Sequence, residues 1–293
     1  MTPTCFSLTA LDGQNLTAYC HEPVQHLRGG VVIASAMAVP QSFYTDFAAF
    51  LARQGYRTWT FDYRGIGESL QGSMRACTAD ISVWITQDFE AMVQHASDSL
   101  DGLPLYVLGH SLGGQTTPLL PSSKRVKGLI NIAVGSGSIR HNHPRIRRSA
   151  PLLWYVLAPV ACPLFGYFPG ARLGVLGDIP KRVFFQWRRW CLTPEYLLTG
   201  EPGAREAYAQ ARFPVLGLTF SDDELLMEAG SRLLHDAYTG TELDYRVLSP
   251  QQFGLNRVGH FGFFKASHEK VLWPMVIEWL HGQSPHTRVV PTQ

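Results

Sequence analysis

The chain has 293 residues, 45% hydrophobic, 12% aromatic and 16% charged, with a formal net charge of +2. That composition supplies a large apolar core, and the charge is too mild for a nucleic-acid binder. Five scattered cysteines, Cys5, Cys20, Cys77, Cys162 and Cys191, include no CxxC pair, so neither a disulfide framework nor a zinc site is expected; free thiols in the cytoplasm are the default.

Met1 to Leu11 lacks a basic region followed by an apolar run, so no signal peptide is expected. Apolar β-branched runs then alternate with helical patterns, which implies parallel strands joined by crossover helices. A strand is expected over Gly30 to Ala34, a helix over Gln41 to Gln54 and a strand over Arg57 to Phe61. A Gly-rich loop follows through Asp62, Arg64, Gly65 and Gly67, where a loop-shaping role is expected. A second helix covers Ala79 to Ser97, with Ile81, Trp84, Ile85, Phe89 and Val93 on one face. Strands Leu105 to Leu108 and Val126 to Val134 come next.

Regularity breaks at Gly135 and resumes near Gly203, an insertion after the C-terminal end of a strand, where ligands bind in open α/β sheets. Residues 136–203 are therefore expected to form a cap over a core made of 1–135 and 204–293. Within the cap, Pro151 to Pro163 is the most apolar stretch. It holds three prolines and falls short of the roughly 18 residues a bilayer span needs, so it reads as a buried or lid segment and no transmembrane segment is expected. The core continues with a strand over Pro214 to Phe220, a helix from about Glu224 to Tyr238, a strand over Leu243 to Leu248 and a helix from about Ser267 to Leu280. The tail from Gly282 reads as loose.

The chemistry centres on Gly109-His110-Ser111-Leu112-Gly113, a G-x-S-x-G sequence between a strand and a segment that can begin a helix. A sharp turn there strains the serine backbone, and small residues two before and two after relieve the crowding as strand meets helix. The hydroxyl then projects beside a helix N-terminus, whose free N–H groups favour developing negative charge. A serine needs a base, and in this arrangement the order is serine, acid, histidine. That order removes His21, His26, His95 and His110 as bases. Of His235, His260, His268, His281 and His286, His260 is favoured, because it lies between Gly259 and Phe261-Gly262 in a loop after the last strand. The acid is expected just past Phe220. Asp223 is preferred, with Asp222 as the alternative, and Glu224 is expected to cap the following helix. Two N–H groups must receive the oxyanion. Leu112, after the nucleophile, supplies one, and Met37, in the loop after Ala34, the other.

Five segments carry a resemblance: Ser35-Ala36-Met37-Ala38-Val39-Pro40, Phe61 to Gly67, Gly109 to Gln115, Trp187-Arg188-Arg189-Trp190-Cys191, and Gly259 to Phe264. They resemble bacterial α/β-hydrolases of the serine aminopeptidase-like and monoglyceride-lipase-like group, and one little-characterised branch of it nearly end to end. The resemblance implies an α/β-hydrolase fold with a mostly parallel sheet, helices on both faces and an inserted cap. It implies no substrate, because the superfamily includes esterases, lipases, lactonases, thioesterases and peptidases.

The cap carries nine basic residues between Gly135 and Leu192 against Asp178 alone, which opens readings as an anionic-substrate, acidic-partner or lipid-surface contact beside that of a plain solvated face. Its aromatics are expected mainly to pack the cap, while Trp154, Trp187 and Trp190 are candidates to wall an apolar acyl pocket. His141 and His143 read as surface loop rather than metal ligands. The expectation is a cofactor-free and metal-free serine hydrolase acting on a carboxylic ester or thioester with an apolar body, with no nucleic-acid partner. An acyltransferase using the same residues, or a binding protein on the same fold, are the alternatives.

Overall fold

Eight strands form one sheet in the computed structural model, which describes residues 2–283. They are β1 (Thr4–Thr9), β2 (Asn15–His21), β3 (Gly29–Ala34), β4 (Tyr56–Phe61), β5 (Leu105–His110), β6 (Val126–Ile132), β7 (Val215–Phe220) and β8 (Leu243–Leu248). Their spatial order is β1-β2-β4-β3-β5-β6-β7-β8. From β4 onward every pair is parallel. The N-terminal hairpin is the exception: β1 pairs antiparallel with β2, and β2 antiparallel with β4. Sequence reading missed this hairpin, whose turn carries Asp12-Gly13 with Gly13 at φ +87°. Of the tail expected to be loose from Gly282, Gly282 ends the last helix, and the part beyond Gln283, with His286, lies outside the described residues.

The central parallel strands are buried on both faces, as crossover helices require, while edge strand β8 is mostly half-buried. In β3, Val31 and Ile33 pack with Phe47 and Leu51 of α1 (Thr45–Arg53) and with Trp273 and Leu280. Val32 and Ala34 pack on the other side with Trp84, Phe89 and Val93. Those last residues belong to helical segments running from Ile81 to α2 (Glu90–Asp98), with a π-helical stretch, Trp84–Phe89, between them. Asp80 starts the run by accepting the Val83 N–H at 3.0 Å.

Strand β5 ends at a sharp turn into α3 (Leu112–Thr116). Between β6 and β7 the chain leaves the sheet to build a helical cap. Its first element, α4 (Pro144–Phe165), is one helix of 22 residues. The stretch Pro151 to Pro163, expected to fall short of a bilayer span, thus lies inside a longer helix that is long and apolar enough to cross a membrane by length and composition. A π-helical stretch, Leu153–Leu157, lies between Pro151 and Pro159, and its wide turn lets the helix carry both. A short hairpin pairs Tyr167–Phe168 with Ile179–Pro180 and leads into α5 (Lys181–Leu192).

Two further expected helices start late. The one placed at Glu224 begins at Glu228, as α6 (Glu228–His235), because residues 222–224 are spent on other contacts. The last, expected from Ser267, is α7 (Pro274–Gly282), and Pro274 fits its first turn, where a missing N–H costs nothing.

Candidate active site

Ser111 sits at the turn between β5 and α3 with φ +50° and ψ −114°, a conformation non-glycine residues rarely adopt. The strain is enforced by packing on all sides. A Cβ on Gly113 would collide with the carbonyl of Ala34 in β3, and one on Gly109 with the backbone of Gly114. The Ser111 N–H is tied to the Ile132 carbonyl of β6 at 3.0 Å. Strand, helix and neighbouring strands thus approach so closely that only this glycine-flanked sequence fits.

The structure brings His260 and Asp223 together. His260 Nδ1 lies 2.8 Å from Asp223 Oδ2, and both side chains are almost wholly buried. The other oxygen of Asp223 accepts the N–H groups of Leu225 and Leu226 at 2.8 and 2.9 Å, so the carboxylate has no freedom to turn. Asp222 makes a different contact: it accepts the Val258 and Gly259 N–H groups at 2.9 and 3.1 Å and holds the histidine loop. Glu224 is a correction. It caps no helix, but accepts the backbone N–H of His260 at 3.1 Å and pairs with Arg257 at 3.3 Å. Gly259, at φ +63°, packs so tightly on Glu224 that a side chain there would strike its carboxylate.

Ser111, His260, Met37 and Leu112 line one cavity beneath the cap. Among the loop amides, that of Ala36 is already committed, donating to the Tyr44 hydroxyl at 2.9 Å. The same hydroxyl lies 2.9 Å from His110 Nδ1, and His110 Nε2 lies 3.0 Å from the backbone carbonyl of His260. A carbonyl can only accept, so Nε2 bears the proton and Nδ1 accepts from the tyrosine. Burial, and next the neighbouring His260, hold His110 well below the usual histidine range, consistent with this neutral ring. Sequence reasoning excluded His110 as a base and saw no other use for it; Tyr44 left no signal at all.

Trp154 and Trp187 line the cavity, as expected of pocket walls; Trp190 does not. It is fully buried, and its indole N–H donates to Glu201 at 3.0 Å. Trp187 Nε1 donates to the hydroxyl of Tyr196, which donates to Gln115 Oε1 of α3. Tyr196, also in the lining, has φ +56°, a second strained residue that ties cap to elbow. Asp62 shapes its loop as expected, its buried carboxylate accepting the N–H groups of Gln41 and Glu68 at 2.7 and 2.9 Å. Arg64 bridges Asp88 and Asp12. His141 contacts the Ser136 hydroxyl at 3.1 Å, and His143 accepts the Arg145 N–H.

A mostly parallel sheet with an N-terminal antiparallel hairpin, a strained serine between strand and helix, and a helical cap inserted after β6 decide the architecture. It is the α/β-hydrolase fold. A soluble variant of monoglyceride lipase from Saccharomyces cerevisiae, in complex with a substrate analog, superposes on it with a TM-score of 0.69 at 18% identity, covering 97% of this chain and 96% of that one. The serine aminopeptidase S33 family model matches residues 25–161, a span that includes Ser111 but ends before Asp223 and His260. In sequence, the chain is 26% identical to Saccharomyces cerevisiae monoglyceride lipase over 179 residues, 57% of this chain and 55% of that one. It is 36% identical to the monoacylglycerol lipase of Mycolicibacterium smegmatis over 87 residues, 30% of each. The chain thus spans about half or less of the curated relatives it matches. Over parts of its length the sequence is thus similar to monoglyceride lipases and to the serine aminopeptidase S33 family model.

Proposed function

We propose that this chain is a serine hydrolase that cleaves a carboxylic ester or thioester through an acyl-enzyme. The observation that carries the proposal is the His260–Asp223 pair, 2.8 Å apart, whose histidine lines the same cavity as a serine held at φ +50°. Asp223 fixes Nδ1–H of the imidazole, which leaves Nε2 as the base. The Ser111 oxygen attacks the acyl carbon as its proton passes to Nε2, and the oxyanion is received by the N–H groups of Met37 and Leu112. His260 returns the proton to the departing alcohol or thiol. A water then attacks the acyl-serine, again losing its proton to Nε2, and the carboxylic acid leaves with Ser111 restored. No step needs a metal or cofactor.

The lining favours a substrate with an apolar body. Ile146, Leu153, Trp154, Leu225, Leu226 and Phe261 surround the serine with apolar surface. The lipase relatives point the same way, towards an acyl ester. A p-nitrophenyl ester chain-length series tests the reading. Turnover by the wild type, lost in Ser111→Ala, supports it; turnover undiminished in Ser111→Ala refutes it.

A further inference from the structure

Helix α4 presents apolar side chains to water from Leu152 to Leu164. Leu152, Tyr155, Val156, Val160 and Leu164 are 51–68% exposed and, the adjacent Tyr155 and Val156 aside, follow one another at intervals of three or four residues, so they share one side of the helix. Leu173 and Val175, from the segment between the two short cap strands, are exposed as well. Soluble monomers rarely leave so continuous an apolar surface uncovered, and such a surface marks a contact.

The charge around it is one-sided. Arg140, Arg145, Arg147 and Arg148 are exposed where the chain enters α4 and along its first turns, and Pro144–Phe165 contains no acidic residue. Among the described residues none of these four arginines has a carboxylate within ion-pairing distance. The whole chain carries only +2, so this is a local concentration rather than a reflection of overall charge. An apolar helix face flanked by unpaired cations matches a surface that is apolar inside and anionic at its boundary.

The helix lies along such a surface rather than through it, because its other side is already used. Ala150, Trp154, Ala158 and Cys162 are buried in the cap, and Trp154 packs against Trp187 and Phe184 at ring-centroid distances of 5.1 and 5.5 Å. The same helix also walls the cavity, through Ile146, Ser149, Ala150 and Leu153, and exposed Val175 lines it too. The apolar face is therefore continuous with the lining of the candidate active site.

We propose that the outer face of α4 docks on an anionic lipid surface, placing the cavity beside the interface from which an apolar ester would enter. The entry route rests on the hydrolase reading; the docking does not. The test uses the full chain and co-sedimentation with vesicles of phosphatidylcholine alone or mixed with phosphatidylglycerol. Wild type is expected to sediment with the mixed vesicles, less with phosphatidylcholine alone, and less as salt rises. Val156→Glu/Val160→Glu should abolish binding while leaving turnover of a short water-soluble ester unchanged. Arg145→Gln/Arg147→Gln/Arg148→Gln should weaken binding by about 10²-fold, roughly fivefold per arginine. Ser111→Ala should bind vesicles like wild type, which separates docking from catalysis. Wild type remaining in the supernatant with mixed vesicles would overturn the proposal. So would a dimer that Val156→Glu/Val160→Glu dissociates in the absence of any vesicle binding, since a second copy would then be the occupant of this face.

Discussion

The His110 ring donates from Nε2 to the backbone carbonyl of His260 across 3.0 Å, so the residue before the candidate nucleophile holds the main chain of the candidate base. Its Nδ1 takes the Tyr44 hydroxyl proton, and that hydroxyl accepts the Ala36 N–H. One buried chain thus fixes three parts of the site: the loop bearing the Met37 amide, the strand bearing Ser111 and the loop bearing His260. The Ala36 amide is thus turned to Tyr44, and the proposed oxyanion donor is the adjacent Met37 amide.

Tyr44→Phe keeps the packing but leaves the Ala36 N–H and His110 Nδ1 unpartnered, at a cost of about 1–3 kcal/mol in stability. Because the chain positions reacting groups without forming the pocket, kcat should fall on the order of 10-fold to 10²-fold with KM little changed. Steady-state kinetics on a soluble ester, with urea unfolding alongside, checks both. Unchanged kcat in a folded variant would show that the network is only structural.

Asp222 and Asp223 make separable contacts, and so do their predicted losses. Asp223→Asn presents an amide to His260 Nδ1 and favours the wrong tautomer, so kcat should fall by about 10⁴-fold with the fold retained. Asp222→Asn disturbs only the N–H groups of Val258 and Gly259, and should cost stability of about 1–3 kcal/mol with a much smaller loss of kcat. The reverse ranking of the two kcat values would make Asp222 the triad acid.

Stability should fall in mild acid, and His235 provides one measurable part of the fall. It is fully buried, bonded through Nδ1 to the Ser231 carbonyl at 2.8 Å, and burial lowers its pKa to about 4. That value lies below the unfolded one, so as pH drops the unfolded chain takes up the proton first. The contribution is complete above about pH 6.5 and is lost as pH falls towards 4, with about 2 kcal/mol gone at pH 5. Urea unfolding at pH 7 and pH 5, on wild type and His235→Gln, measures it. The variant should lose about 2 kcal/mol less than wild type between the two pH values.

The elbow was legible because its constraint is local. Three chain segments crowd one turn, and glycine at 109 and 113 is the direct imprint of that crowding. The central parallel strands were legible because both faces are buried, leaving continuous apolar runs such as Val31 to Ala34. Edge strand β1 gave no such run, since within it only Leu8 is buried, and the Asp12-Gly13 turn was the cue overlooked. Residues 222–224 look like the acidic start of a helix, yet Asp222 and Glu224 hold the His260 loop about 36 residues away, and no local pattern encodes that. Trp187 and Trp190 lie three residues apart on α5, and their different fates are set by Tyr196 and Glu201, again from outside the helix. In α4, the apolar stretch Pro151 to Pro163 was read by itself, and nothing local showed that the helix begins at Pro144 and carries its prolines past a π-helical stretch.

The central claim is that Ser111 is the nucleophile, activated by His260. Fluorophosphonate labelling followed by peptide mass mapping tests it most directly. The account predicts a single adduct on the peptide containing Ser111, absent in Ser111→Ala and formed much more slowly in His260→Ala. An unlabelled but folded wild type, or an adduct on another residue that persists in Ser111→Ala, would contradict it.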